Sequence, residues 1–226
     1  TGPRQGMTVT AGYAWLSDRN EAVVEMAAAS GLVLLEPPQR DPLVTTTRGT
    51  GELLLAAAGR GARRIYLAVG GSATVDGGTG AARALGWRFL DRHGEEVPAG
   101  GGGLRALRRI EAPERPAPLP PVTVLCDVDN PLLGPRGAAP VYGPQKGASP
   151  DDVAALAAGL RTHADCVRDV TGREVGALPG GGAAGGLAAG AAAFMGAELT
   201  SGAEAVMRAI GLEEALSDAD WVITGE

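Results

Sequence analysis

The stretch that decides the fold runs from residue 65 to residue 85 and reads IYLAV, GGSATVDGGTG and AARAL. Residues 65–69 are mostly apolar and predict a buried strand, whereas residues 81–85 predict a helix. Residues 70–80 connect the predicted strand to the predicted helix, and we name them the glycine loop. Glycines let backbone N–H groups approach an anion closely, and a helix N-terminus adds a partial positive charge. This strand–loop–helix unit predicts an α/β fold with an anion-binding loop. A tight turn that binds nothing is the alternative.

Several residues of the glycine loop are candidates for chemistry. Asp76 can hold a metal ion or accept the proton of a substrate hydroxyl. The remaining candidates are expected to bind substrate or phosphate through hydroxyl or backbone groups; they are Gly70, Gly71, Ser72, Thr74, Gly77 and Gly78. The loop matches neither the P-loop pattern nor G-x-G-x-x-G, and no acidic residue follows such a motif at the expected distance, which disfavours a nicotinamide-dependent oxidoreductase.

Outward from this unit, helical and strand patterns alternate along the chain, as in α/β proteins. Ser149-Pro150-Asp151-Asp152 is a strong helix start, and the Gly- and Ala-rich residues 180–190 predict a tight turn into a close-packed helix. The proline-rich residues 112–121 predict a connector. The other predicted helices cover residues 17–29 and 49–58, and the other predicted strands cover residues 32–35 and 122–126. The last segment, residues 219–226, predicts a strand that stops as its loop begins.

Residues 143–148 contain the only lysine of the chain. Lysine and arginine together number 20, and Lys146 is the single lysine among them. A lone lysine between turn residues and just before a helix favours a place where a compact ammonium group binds phosphate or carboxylate; chance survival of one lysine is the alternative. Gln145 is its neighbour and a second candidate for binding.

Two further loops carry polar candidates. Arg48, in the hydroxyl-rich residues 45–52, could pair with a carboxylate or phosphate, and Thr50 follows it. Asp127 and Asn130 follow the strand at residues 122–126 and could bind Mg²⁺ or polyol hydroxyls. A capping loop and an ordinary turn are the respective alternatives.

Composition limits the class of protein. The chain has 226 residues, of which 45% are hydrophobic and 20% charged, so it can form one large or two small domains with a sizeable core. A net charge of −6 disfavours a general nucleic-acid binder, and no apolar run is long enough for a membrane span. Its two cysteines form no metal or disulfide pattern, so we expect a cytoplasmic protein.

Both histidines, and one of the cysteines, have ordinary structural interpretations. We expect His93 in a solvated turn between residues 87–90 and 96–97. His163 falls on the apolar stripe of the helix after Ser149, which predicts a hydrogen-bonded residue at the edge of the core. Cys126 is expected to be a small core residue.

The loops together resemble the bacterial two-domain glycerate kinase family. Seven stretches match in the family's order, namely TTRGTGE (46–52), GGSATVDGGTG (70–80), FLDRHGEEVPAGGGGL (89–104), CDVDNPLLG (126–134), GPQKGA (143–148), PGGGAAGG (179–186) and ADWVITGE (219–226). Val75 departs from a common Asn, and Gly181 from a common Ala. Two family segments, with Asp-Ser-Phe-Lys-Gly and Gly-Arg-x-Asp-x-Gln-Thr, are not in this sequence, so we expect a truncated chain.

The resemblance implies a fold, a reaction and site residues. The fold would be an inserted α/β domain at residues 16–211, flanked by parts of a Rossmann-like domain at residues 1–15 and 212–226. The reaction would be phosphorylation of D-glycerate by ATP with Mg²⁺, at the 2-hydroxyl, with no nucleic acid or membrane partner. Catalytic candidates are Asp76, Asp127 and Lys146, with the metal of Mg-ATP at Asp76 or Asp127; Arg48 would hold the glycerate carboxylate, and Glu226 joins the binding residues. A fragment that binds glycerate or phosphate without turnover is the alternative.

Overall fold

The computed structural model describes residues 1–217, 219–223 and 225 and confirms an α/β fold. The strands are β1 (Ala14–Leu16), β2 (Glu21–Glu25), β3 (Arg64–Ala68), β4 (Arg88–Leu90), β5 (Arg109–Glu111), β6 (Val122–Leu125) and β7 (Glu198–Thr200). The helices are α1 (Ala27–Ser30), α2 (Arg48–Gly59), α3 (Thr79–Ala84), α4 (Ala138–Tyr142), α5 (Pro150–Thr171), α6 (Ala183–Met195), α7 (Gly202–Ala209) and α8 (Leu212–Ser217). Short 3₁₀ segments cover Leu32–Leu34, Pro37–Gln39, Gly101–Ala106 and Pro144–Lys146.

A five-stranded sheet in the order β1-β2-β3-β6-β7 organises the molecule. Only β1 is antiparallel to its neighbour; the other adjacent pairs are parallel, with Leu67 opposite Val124 at the centre. Since β3 and β6 are parallel neighbours, the loops that follow them leave from the same edge of the sheet. That edge brings the glycine loop beside the loop at residues 126–134.

Two hydrophobic cores lie on either side of α6. The first joins the sheet to α2 and includes Leu54 and Ile65; the second joins α5 to the β4–β5 pair and includes Phe89 and Leu160. Helix α6 serves both because it is built almost entirely of Ala and Gly, which permit close approach on all sides. The predicted turn into a close-packed helix is therefore confirmed.

The segment from residue 17 to residue 35 differs from its sequence prediction. The structure has strand β2 and the short helix α1 where one helix was predicted, and a 3₁₀ segment where a strand was predicted. Ala22 and Val24 are buried and alternate with more exposed neighbours, which is the period of a strand. Val33 is 86% exposed, so the later segment is not the buried strand that its composition predicted.

The start of α5 and the connector before β6 agree with their sequence predictions, whereas the end of the chain does not. Ser149 forms a capping box with Asp152 at the start of α5, and the connector before β6 contains no helix or strand. The predicted strand at the end of the chain is wrong for residues 219–223, which pair with no described strand. The proposed boundary after residue 15 falls inside β1, and the one after residue 211 falls just before α8. The division into domains stays a prediction.

Candidate functional site

A cleft of about 480 Å³ opens at the carboxyl ends of β3 and β6, and we name it the Lys146 cleft. It unites six of the residues singled out from the sequence: Gly70, Gly71, Ser72, Asp127, Gln145 and Lys146. They come from three different loops: two follow β3 and β6, which parallel pairing brings side by side, and the third lies between α4 and α5. Ligands of open α/β sheets bind at this edge, so the Lys146 cleft is the candidate site.

Lys146 is the central polar group of this cleft. Its side chain is 2% exposed, and Nζ donates hydrogen bonds to Ser72 Oγ at 2.6 Å and to the Thr74 carbonyl at 2.7 Å. Burial lowers the pKa of Lys146 to about 7, although the carboxylate of Asp76 acts in the opposite direction. A lysine that titrates near neutrality inside a cleft marks a functional-site candidate.

The start of the glycine loop forms one wall of the cleft. Gly70 and Gly71 are exposed, whereas Thr74 is buried and adjoins the site through its carbonyl group. The first residues of α6 also line the cleft, and the helix is kinked there, with Ala184 at a positive φ of 53°. Gly185 follows with a φ of 64°, and a Cβ there would collide with the carbonyl oxygen of Thr74, so only glycine fits this contact.

Asp76 lies inside the molecule and not in the wall of the cleft. It is 0% exposed, and its carboxylate accepts hydrogen bonds from Thr47 N at 2.8 Å, Gly78 N at 3.0 Å and Gly80 N at 3.2 Å. The Thr47 hydroxyl donates a further bond at 2.9 Å. Burial raises the pKa of Asp76, whereas these hydrogen bonds lower it. Geometrically, Asp76 ties the glycine loop to the start of α2; its catalytic role stays a prediction.

Asp127 reaches the cleft but also caps a helix. Its Oδ1 accepts hydrogen bonds from Ser201 Oγ at 2.9 Å and Ala203 N at 3.1 Å, at the N-terminus of α7. These bonds lower the pKa of Asp127, so the carboxylate is ionised at neutral pH. Both the turn interpretation and the functional one are thus compatible with its position.

Asn130 does not line the cleft but is hydrogen-bonded to Tyr142, which does. Its Oδ1 accepts a hydrogen bond from the Tyr142 hydroxyl at 2.8 Å, and its amide donates to the Arg136 carbonyl at 2.8 Å. Tyr142 lines the cleft, with its ring centroid 6.0 Å from Lys146 Nζ. Asn130 therefore positions Tyr142 instead of facing the cleft itself.

The structure does not bring the remaining candidates into the cleft. Arg48 lines a separate pocket with Arg83 and forms an ion pair with Glu52 at 3.3 Å. Thr50 is buried and donates to Ser30 Oγ at 2.9 Å. Gly77 and Gly78 are also buried; a Cβ on them would lie 3.0 Å from the His163 ring and 3.2 Å from the Cα of Gly190, respectively. Glu226 lies outside the described residues.

His163 differs from its prediction as a hydrogen-bonded residue. It is fully buried between Phe89 and Phe194, at ring-centroid distances of 6.4 and 5.9 Å. Neither ring nitrogen has a hydrogen-bond partner among the described residues. Burial lowers the pKa of His163 to about 4, so the ring is neutral at physiological pH. His93 lies exposed in its turn, as predicted.

Some site residues were missed by sequence reasoning. Tyr142 was not among the candidates taken from the sequence, and Ala184 carries no chemical group that would mark it. Thr47 belongs to a loop that was singled out, yet only the structure shows its hydroxyl bonded to Asp76. Cys126, expected in the core, is half-buried and lines the cleft. A side chain such as Tyr142 is assigned to a site only by three-dimensional proximity.

Two possible properties have no support in the described part of the chain. No group of three or more His, Cys, Asp or Glu side chains is placed to hold a metal ion there. Among the helices described, none combines the length and the apolar character needed to cross a bilayer.

Comparison with known proteins identifies relatives over the whole chain. Residues 1–226 match the profile of the glycerate kinase family. The chain is 48% identical to a glycerate kinase of Halalkalibacterium halodurans over 98% of its own length, and 46% identical to the glycerate 2-kinase of Escherichia coli K12 over 100%. It spans 59% and 60% of those two relatives.

A solved structure gives the same result at the level of the fold. The crystal structure of a protein assigned as glycerate kinase 2 from Salmonella typhimurium LT2 superposes with a TM-score of 0.89 and 44% identity. The match covers 97% of this chain and 59% of that one. Sequence and fold comparisons therefore agree over nearly all of the residues given.

Proposed function

Because the chain belongs to the glycerate kinase family, we propose that the protein containing it transfers the terminal phosphate of ATP to a hydroxyl of D-glycerate. The single observation that carries the proposal is the buried Lys146 in a cleft at the carboxyl ends of β3 and β6. Phosphoryl transfer depends mainly on positioning and on neutralising negative charge, which a buried ammonium beside a glycine-rich loop supplies.

We assign the anion-binding role within the cleft to Lys146 and the start of the glycine loop. Gly70 and Gly71 expose their backbone, and Ser72 already bonds to Lys146 Nζ at 2.6 Å. An oxyanion that approaches from the open side meets the ammonium and the loop together. This arrangement suits a phosphate oxygen or the carboxylate of glycerate, since both carry charge on oxygen.

Asp127 is the better candidate of the two carboxylates for the metal of Mg-ATP. Magnesium sites that form with substrate phosphates use one or two protein carboxylates, and Asp127 faces the cleft while Asp76 does not. A bound Mg²⁺ would supply neutralisation of phosphate charge. Asp76 is proposed to hold the glycine loop in place, through the bonds it accepts from Thr47 and Gly80.

Arg48 was expected to hold the glycerate carboxylate. The pocket that it lines has no residue in common with the Lys146 cleft. We therefore propose that Lys146, and not Arg48, is the cationic partner in this cleft. We also propose that the phosphate is transferred to the 2-hydroxyl of D-glycerate and that the protein is cytoplasmic.

The test is ADP release from Mg-ATP with and without D-glycerate, measured on the intact protein that contains this chain and on this chain alone. Glycerate-dependent release by the intact protein supports the proposal, and phosphorus NMR of the product distinguishes 2- from 3-phosphoglycerate. Ligand binding without release by the 226-residue chain alone would show that it is a binding fragment. The absence of release from the intact protein would refute the kinase function.

Two variants test which cationic side chain, Lys146 or Arg48, acts on the substrate. Loss of a charge that stabilises the transition state typically lowers kcat by about 100-fold or more, which we expect for Lys146→Met. Arg48→Met should leave the KM for D-glycerate within about threefold of the wild-type value. A mutation raises KM when it removes a contact with the substrate, and Arg48 lies outside the Lys146 cleft. A large rise in that KM would indicate that Arg48 binds the glycerate carboxylate, as expected from the sequence.

A further inference from the structure

The hydrogen-bond partners of Lys146 match its neutral form. Among the residues that the structure describes, Nζ has two acceptors, Ser72 Oγ and the Thr74 carbonyl, at 2.6 and 2.7 Å. A neutral amine has two N–H donors, whereas an ammonium has three. The described protein thus provides one acceptor for each N–H of the neutral amine, whereas the third N–H of the ammonium has no protein acceptor there.

The charge of Lys146 is similarly unbalanced. Lys146 takes part in none of the ion pairs of the described chain, and both of its acceptors are neutral groups. Asp76 acts on it only from a distance, and its oxygens already accept bonds from Thr47, Gly78 and Gly80. A charged group in a buried position requires a partner, because desolvation without compensation is costly.

We propose that the Lys146 cleft takes up an oxyanion together with one proton, which converts Lys146 from a neutral amine to an ammonium ion. The bound oxyanion supplies both missing elements, namely the acceptor for the third N–H and the opposite charge. This inference rests on the proposed function for the identity of the ligand, D-glycerate. The proton comes from solvent and stays on Nζ while the ligand is bound.

The groups that face Lys146 do not compete for this proton near neutral pH. Burial raises the pKa values of Cys126 and Tyr142, so both stay protonated, while hydrogen bonds from α7 lower the pKa of Asp127. Helix α6 contributes no titratable side chain to the cleft. Asp76, behind the glycine loop, has its pKa raised by burial, and its donors favour the carboxylate.

The test is isothermal titration calorimetry of the intact protein with D-glycerate, in buffers of different ionisation enthalpy. The carboxylate of the ligand does not titrate between about pH 6 and pH 9, so any proton taken up belongs to the protein. With a free lysine that titrates near pH 7, we expect uptake of about one proton at pH 8 and binding about 30-fold weaker at pH 8.5 than at pH 6. Sulfate, whose charge is constant in this range, is the second probe.

Two variants locate the proton. Lys146→Arg keeps a permanent charge and should bind without proton uptake, with an affinity independent of pH over this range. Lys146→Met should lose the uptake together with most of the affinity. Wild-type calorimetry stands by itself if either variant fails to fold.

The outcomes separate this inference from the proposed function. Binding of D-glycerate with no proton uptake, or uptake that persists in Lys146→Met, overturns the inference and leaves the kinase proposal in place. Sulfate binding with uptake but no binding of D-glycerate at any pH supports the inference and contradicts the choice of substrate. Uptake with both probes, abolished in both variants, supports the two together.

Discussion

Acidification should destabilise this protein through one buried group, His163. The ring is fully buried between two phenylalanines, and neither nitrogen has a hydrogen-bond partner in the described chain. Burial lowers the pKa of His163 to about 4, from an ordinary value of 6.5. Between these two values the unfolded chain binds a proton at this position and the folded chain does not. The contribution of His163 to the free energy of unfolding is therefore constant above about pH 6.5 and falls as the pH drops toward about 4.

The magnitude follows from the two pKa values. A pKa difference of 2.5 corresponds to a maximum of about 3–4 kcal/mol, at about 1.4 kcal/mol per pKa unit. Between about pH 7.5 and pH 5, the part lost is about 2 kcal/mol. The substitution His163→Leu removes the titrating group and keeps a similar apolar volume. It also removes two buried nitrogens without partners, so the variant should be more stable than wild type by about 1–3 kcal/mol at pH 7.5.

The assay is urea unfolding of wild type, His163→Leu and His93→Gln at several pH values from about 8 to 5. His93 is the only other histidine and lies exposed in a turn, so His93→Gln is the matched control. Contributions of the carboxylates and of Lys146 are shared by all three proteins and cancel in the differences. The stability advantage of His163→Leu should grow by about 2 kcal/mol from pH 7.5 to pH 5, while His93→Gln follows wild type.

An advantage of His163→Leu that stays constant with pH would refute the reasoning, because the buried ring would then not be excluded from protonation. A matching growth in His93→Gln would show that the effect does not belong to burial.

Three further substitutions test the geometry around the cleft. Asp76→Asn should lower the free energy of unfolding by about 2–4 kcal/mol in urea titrations, because an amide NH₂ would face backbone N–H donors; an unchanged midpoint would contradict the network. Ala184→Gly should raise the thermal midpoint, with about 0.5–1 kcal/mol gained from relief of a left-handed alanine, and a lower midpoint would show that the methyl group is needed. Gly185→Ala should destabilise by more than about 2 kcal/mol through collision with Thr74, observed as a lower urea midpoint than wild type; tolerance of alanine would show that the two backbones can separate.

Local sequence patterns predicted the elements whose signals are strong. The capping box at Ser149, the strand before Gly70 and the helix after Thr47 each depend on neighbours within a few residues, and all three formed as predicted. The segment of β2 was missed because alanines beside Val23 and Val24 support a helix as well as a strand. Pairing with β3 decides in favour of the strand, and a sequence pattern does not contain that partner.

The sequence by itself determined the α/β class, the glycine loop and the choice of Lys146, because composition and turn chemistry are local. Only the tertiary structure decided which candidates share a cleft. Parallel pairing of β3 and β6 brings Asp127 beside the glycine loop, in the cleft that Lys146 also lines. Asp76 instead accepts a hydrogen bond from Thr47 on another loop, and Arg48 faces a separate pocket. The physical reason is that burial and charge at a side chain depend on contacts between residues far apart in the chain. The environment of Lys146 is formed by Ser72 and Thr74, 74 and 72 residues away.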